Sequence, residues 1–208
     1  MVKRVLWIGN SYIGRNDLPG MVATLCGAKG LELEQEQVTP GGCSLIAHHR
    51  RAGGELIDEA RWDVVVLQEQ STKPVKSPAK FEEAADLMVE RVKAVGATPV
   101  LYLTWARRDR PETQQQLTDG YRAVAQRHGA KVAAVGEAWR AVREAMGDDA
   151  DALLFEADGS HPTPAGSYLA ALVFAGVLTG RSPRGLPDPV GLEAGVRKVL
   201  QGAAAGVG

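Results

Sequence analysis

Apolar runs of strand length alternate along this chain with stretches whose apolar residues recur at helical spacing. Residues 2–8, 31–38, 64–67, 99–104 and 131–135 read as strands, and 18–29, 45–60, 78–95, 111–127, 137–146, 164–178 and 190–200 as helices. Asn16 and Asp17 are candidate N-caps for the first of these helices, with Pro19 in its first turn and Gly30 where it should end. Alternating strand and helix predicts parallel strands joined by right-handed crossovers, with helices on both faces. VVVL at 64–67 and VLYL at 100–103 are apolar throughout, as strands covered on both sides must be. The expected fold is therefore α/β, a three-layer sandwich around a central parallel sheet of about five strands.

No Pro/Gly/Ser-rich linker interrupts the pattern, so residues 1–202 are expected to form one domain, with 203–208, in the thin GAAAGVG tail, flexible. In such a sheet, ligands bind beyond the carboxyl ends of the strands. The segments at that edge are GNSYIG, TPGGCSL, QEQST and WARRDR, followed near the end of the chain by DGSHPTP.

Composition narrows the function classes. The 208 residues are 45% hydrophobic and 24% charged with a formal net charge of -1, which gives no global basic field for nucleic acid. Cys26 and Cys43 are too few for a disulfide scaffold and lack the spacing of a zinc or redox motif. MVKRVLWIGNSY turns polar too early for a signal-peptide core, and no segment approaches a membrane span. A cytoplasmic protein acting on a small molecule, with neither a membrane nor a nucleic acid as partner, is the expectation.

Ser11 follows the first strand in a glycine turn, placed for attack on a carbonyl, but a serine hydroxyl needs a base. Of the four histidines, adjacent His48 and His49 project in different directions, and His128 suits a helix C-terminus. His161 differs because Asp158 precedes it by three residues, near enough for the carboxylate to hold Nδ1 while Nε2 faces elsewhere. Donors for an oxyanion are offered by the amides of Ser11 and Gly42 and by the side chain of Gln70 or Gln68. Gln70 is preferred by strand offset; Gln68, two residues earlier, shares its face.

GNSY after the first strand, PGGCS after the second, LQEQS after the third and DGSH before the last long helix resemble, in order, the four motif blocks of the SGNH hydrolases, or GDSL esterases and lipases. The resemblance spans residues 5–172, and DGSHPTPAGSYLAA is its most specific part. It implies a flavodoxin-like sandwich, Ser11 as nucleophile, His161 as base, Asp158 as its orienter, and an oxyanion hole of Ser11 N–H, Gly42 N–H and an amide side chain. No metal or organic cofactor is implied. Two blocks depart from the family pattern: Gly-Asn-Ser replaces Gly-Asp-Ser, and the third block has glutamine where asparagine is usual, as in branches acting on acetylated carbohydrates.

The reaction expected is hydrolysis of a short-chain ester, such as an acetyl ester of a carbohydrate, through an acyl-enzyme. Acyl transfer by the same residues and a non-catalytic carbohydrate-binding module are the alternatives. Tyr12, Asn10 and Trp105 are the candidate substrate contacts, with the Arg107–Arg110 run beside Trp105 suited to a sugar or an anion. Cys43 paired with His48 would be a thiol alternative, but no acid is placed to orient His48.

Overall fold

The computed structural model describes residues 2–207. Its strands are β1 (Val2–Ile8), β2 (Glu32–Val38), β3 (Val64–Leu67), β4 (Thr98–Tyr102) and β5 (Lys131–Ala133). The helices are α1 (Ser11–Gly14), α2 (Leu18–Gly27), α3 (Leu45–His49), α4 (Ala52–Asp58), α5 (Lys73–Lys76), α6 (Pro78–Ala94), α7 (Gln114–His128), α8 (Val135–Met146), α9 (Asp149–Leu154), α10 (Pro164–Thr179) and α11 (Ala194–Ala205). All strand pairs are parallel, in the order β2-β1-β3-β4-β5, so the three-layer sandwich expected from the alternation is the fold observed.

Two cores follow from the two-residue period of a strand. Val5 and Trp7 of β1, Val64 and Val66 of β3, and Val100 and Tyr102 of β4 face α2, α8, α10 and α11. Leu6 and Ile8, Val65 and Leu67, and Leu101 point the other way, toward α4, α6 and α7. Strand β2 sits at an edge, and its sequence ELEQEQV is accordingly polar and part-exposed. Helix α10 is buried along nearly its whole length, between α2 and α11.

Four departures from the sequence pattern have local causes. The helix expected at 45–60 is broken at Arg51, whose backbone is extended. Beyond the break Gly53 lies against the His48 ring and Gly54 against the Arg91 guanidinium, approaches that a Cβ would block. The strand expected to reach residue 135 ends at Ala133, because Gly136 N–H is drawn to Leu103 O at 2.9 Å and α8 begins early. The helix expected at 190–200 starts at Ala194, since the Asp188 carboxylate holds the amides of Val190, Gly191 and Leu192 in a turn. Finally, α11 continues through Ala205 with Ala204 buried, so much of the 203–208 segment expected to be flexible is helix packed on the core; Gly208 lies outside the described residues.

Gly136 ties α8 to the end of β4, where a Cβ would lie 2.2 Å from Thr104 O and 2.4 Å from Gln114 Nε2. Gly136→Ala is expected to cost about 1–3 kcal/mol through forced displacement. A urea midpoint unchanged from the parent would contradict this.

Candidate active site

Strand β1 delivers Gly9-Asn10-Ser11 to the carboxyl edge of the sheet, where the chain turns at once into α1. Four hydrogen bonds fix that turn. His48 is buried and donates Nε2–H to Gly9 O at 2.7 Å; burial lowers its pKa, which suits a neutral donor. Asn10 N–H donates to Gln68 Oε1 at 2.9 Å. The Asn10 side chain accepts from Tyr12 N–H at 3.2 Å and donates Nδ2–H to Cys43 O at 3.1 Å. An ionised aspartate could make the first of these side-chain bonds but not the second.

The second half of the site is a tight turn between α9 and α10. Phe155 and Pro162 form an antiparallel bridge, with Glu156 N–H on His161 O at 2.8 Å, and Gly159 takes a positive φ of 64° at the apex. Asp158 Oδ1 accepts the amides of Ser160 and His161, each at 2.9 Å, and Oδ2 accepts Nδ1–H of His161 at 2.5 Å. The His161 hydrogen bond, aided by the two amides, holds the Asp158 carboxyl well below the usual range, so it is ionised at neutral pH. Because an ionised carboxylate only accepts, the proton sits on Nδ1 and leaves Nε2 free to accept. Ser11 Oγ lies 2.9 Å from that Nε2, across 150 residues of chain.

Four further contacts dock this turn on the rest of the molecule. Tyr12 Oη and Ser160 Oγ are 2.7 Å apart, and Trp105 Nε1–H donates to Ser160 O at 3.0 Å. Arg108 N–H donates to Gly159 O at 2.9 Å. Asn16, left-handed at φ 54°, donates Nδ2–H to Pro162 O at 3.0 Å and Ser167 Oγ at 2.9 Å. Asn16 is therefore a clamp between the two loops, and Asp17 alone caps α2.

The three residues expected to touch substrate do not line a surface. Asn10 and Tyr12 are each 3% exposed and Trp105 is 1% exposed. The Trp105 ring is sandwiched, 4.6 Å from Tyr12 and 3.9 Å from Trp139. Tyr12 also meets the edge of His161. Together they form an apolar floor under the imidazole and leave no face for a sugar.

The glutamines separate clearly. Gln68 is fully buried, its Oε1 engaged by Asn10 N–H and its Nε2–H by Glu69 O, so it braces the serine turn. Gln70 is half-buried; its Oε1 accepts from Thr72 N–H and Oγ1–H at 3.0 Å each, and its Nε2 has no partner among the described residues. Gly42 is exposed at φ 66° in the turn closed by Cys43 N–H to Pro40 O at 3.1 Å, the conformation that favours glycine, and its amide is likewise unpartnered among the described residues. Cys43 Sγ faces Ser44 O and burial raises its pKa, while His48 is spent on Gly9, so no thiol–imidazole pair forms.

Sequence reasoning missed Glu69. Fully buried between the glutamines, its Oε1 accepts Gln70 N–H at 2.6 Å and Leu45 N–H at 3.2 Å, tying the loop after β3 to the helix that follows the Gly42 turn. Oε2 is buried without a partner among the described residues. The only available signal was a lone acid in an otherwise uncharged QEQST. Among the described residues, no group of three or more His, Cys, Asp or Glu is placed to hold a metal ion, and no helix is long and apolar enough to cross a membrane.

Burial raises the Glu69 pKa, with the Gln70 amide partly offsetting it, so the folded state holds a proton more tightly than the unfolded chain. The stability this supplies is complete below the ordinary carboxylate value and is lost as pH rises through the raised one. Glu69→Gln fixes a neutral side chain, so its Tm relative to the parent should rise from pH 4 to pH 8. A constant or falling difference would contradict the assignment.

Comparison with known proteins adds a family. No protein-family model and no curated protein sequence matches the chain. Among solved structures, it is 32% identical to a candidate SGNH hydrolase from Slackia heliotrinireducens, over 86% of this chain and 100% of that one, at a TM-score of 0.72. A DUF4886 family protein from Bacteroides uniformis superposes at a TM-score of 0.81 with 20% identity, covering 99% and 94% of the two chains. A family 3 carbohydrate esterase from Clostridium thermocellum superposes at 0.65 with 13% identity, covering 84% and 94%. The last two share the fold; the first, matched along its full length, places this chain in the SGNH hydrolase superfamily.

Proposed function

We propose that the protein is a serine ester hydrolase acting on short-chain esters, with Ser11 as nucleophile, His161 as general base and Asp158 as the group that orients and charges-balances the imidazole. The observation that carries this reading is the continuous chain Ser11 Oγ, 2.9 Å, His161 Nε2, and Nδ1, 2.5 Å, Asp158 Oδ2. Superfamily membership supports hydrolysis of esters in general.

Ser11 Oγ attacks the ester carbonyl carbon as its proton passes to His161 Nε2, giving a tetrahedral oxyanion and an imidazolium balanced by Asp158. Collapse expels the alcohol, which takes the proton back from Nε2. Water then attacks the acyl-Ser11 with the same base, the acyl group departs as a carboxylic acid that ionises, and Ser11 is regenerated. The Ser11 amide, at the first position of α1, the Gly42 amide and Gln70 Nε2 are the donors assigned to the oxyanion. Gln70 is preferred over Gln68 because only its Nε2 is uncommitted. An acetyl ester of a carbohydrate is the substrate class favoured by the glutamine-bearing third block and by the carbohydrate esterase among the structural neighbours.

A fluorophosphonate probe should label Ser11 in the native protein, and labelling should vanish in Ser11→Ala and drop strongly in His161→Ala. On short p-nitrophenyl esters kcat should fall by at least about 10³-fold in either variant. Gln70→Ala should lower kcat by about 10²-fold with little change in KM. Full activity in Ser11→Ala would refute the serine mechanism, and activity that survives there but is lost in Cys43→Ala would put the thiol in its place.

A further inference from the structure

Between the loop after β3 and the loop after β4 lies a cavity of about 270 Å³. Both walls connect directly to residues already described. Ser71 and Thr72 on one wall follow Gln70, with Thr72 bound to its Oε1 and the Ser71 side chain beside the Tyr12 hydroxyl. The other wall begins at Ala106, and its Arg107 acts by charge on the same Tyr12 hydroxyl. The next residue, Arg108, is bonded through its amide to Gly159 of the His161 turn.

The charge of this cavity is one-sided. Lys76, Arg107 and Arg110 line it against the single carboxylate of Asp109. Of the fourteen other arginines, seven face acids, Arg4 with Glu34, Arg61 with Glu36 and Glu59, Arg91 with Asp58, Arg122 with Glu137, Arg127 with Glu82 and Asp86, Arg140 with Glu144 and Arg143 with Asp151, and seven take part in no ion pair among the described residues. Arg110 approaches Glu112 only at 4.0 Å. Lys76 and Arg107 take part in no ion pair among the described residues. The protein as a whole has a formal net charge of -1, so a concave basic spot between the segments that follow Gln70 and Trp105 is a local feature and not a reflection of general basicity.

We propose that this cavity is an anion subsite, in which Lys76 and Arg107 receive a carboxylate or phosphate group carried by the ester substrate while Ser11 meets its carbonyl. The inference rests on the ester hydrolase reading and narrows its substrate class to anionic esters. The guanidinium of Arg107 supplies a planar pair of donors and Lys76 a point charge. The volume suits one small charged substituent or an acidic sugar ring and not an extended acyl chain.

The test compares kcat/KM on two ester pairs, each differing in charge. In 4-acetoxybenzoate against 4-acetoxybenzamide the charge is on the alcohol half; in the 4-nitrophenyl monoester of adipate against 4-nitrophenyl hexanoate it is on the acyl half. At low salt the anionic member of at least one pair should be preferred by about fivefold to tenfold, the preference shrinking as salt is raised. The pair that shows it identifies the half of the substrate that enters the cavity. The Lys76→Ala, Arg107→Ala double variant should lose the preference while hydrolysing the neutral esters within about twofold of the parent. Ser11-dependent hydrolysis without charge preference, or a preference that survives in the double variant, would overturn the subsite and leave the ester hydrolase reading standing. Absence of Ser11-dependent hydrolysis of all four esters would overturn both.

Discussion

Everything at the site depends on one docking event: the 158–162 turn settling onto the loop that leaves β1. Loop closure over 150 residues is entropically costly, and a single serine–imidazole bond would not hold it. The cost is met by buried contacts in which each group has its partner: Tyr12 with Ser160, Trp105 with the Ser160 carbonyl, and Asn16 with Pro162 and Ser167. The stack of Tyr12, Trp105 and Trp139 then supplies the flat surface over which the imidazole is aimed. Preorganisation of the Ser11 hydroxyl and the His161 imidazole is thus a property of packing, and the pair inherits its geometry from it.

Asp158 shows how few atoms are needed. One carboxylate closes its own turn through two amides and fixes the tautomer of the ring three residues on. Glu69 does a comparable job in the loop after β3, where a single buried oxygen accepts from both the Gln70 and the Leu45 amides. The substitution of asparagine for aspartate at position 10 has a local reason as well: its amide grips the Gly42 turn while its carbonyl caps α1.

The sheet was legible because its central strands are apolar on both faces, a pattern with few other solutions. Strand ends and helix breaks were less so, since they follow from tertiary approaches such as Gly53 against His48 and Gly136 against Thr104. At the site, Asp158 and His161 are close in sequence, so their contact could be read locally; the nearness of Ser11 to them required the fold rule for strand ends. Tyr12, Asn10 and Trp105 were misread because a loop position suggests exposure, and the chain at WARRDR surfaces only at Arg107. Asn16 was misread because capping is its commonest use, and nothing in the sequence reveals a left-handed residue bonded 146 positions away.

The most direct test is the low-field proton spectrum of the protein at neutral pH. A proton held between His161 Nδ1 and an ionised Asp158 should give one strongly deshielded exchangeable resonance that persists in Ser11→Ala and disappears in Asp158→Ala. Absence of that resonance from the parent, or its survival without the carboxylate, would contradict the account.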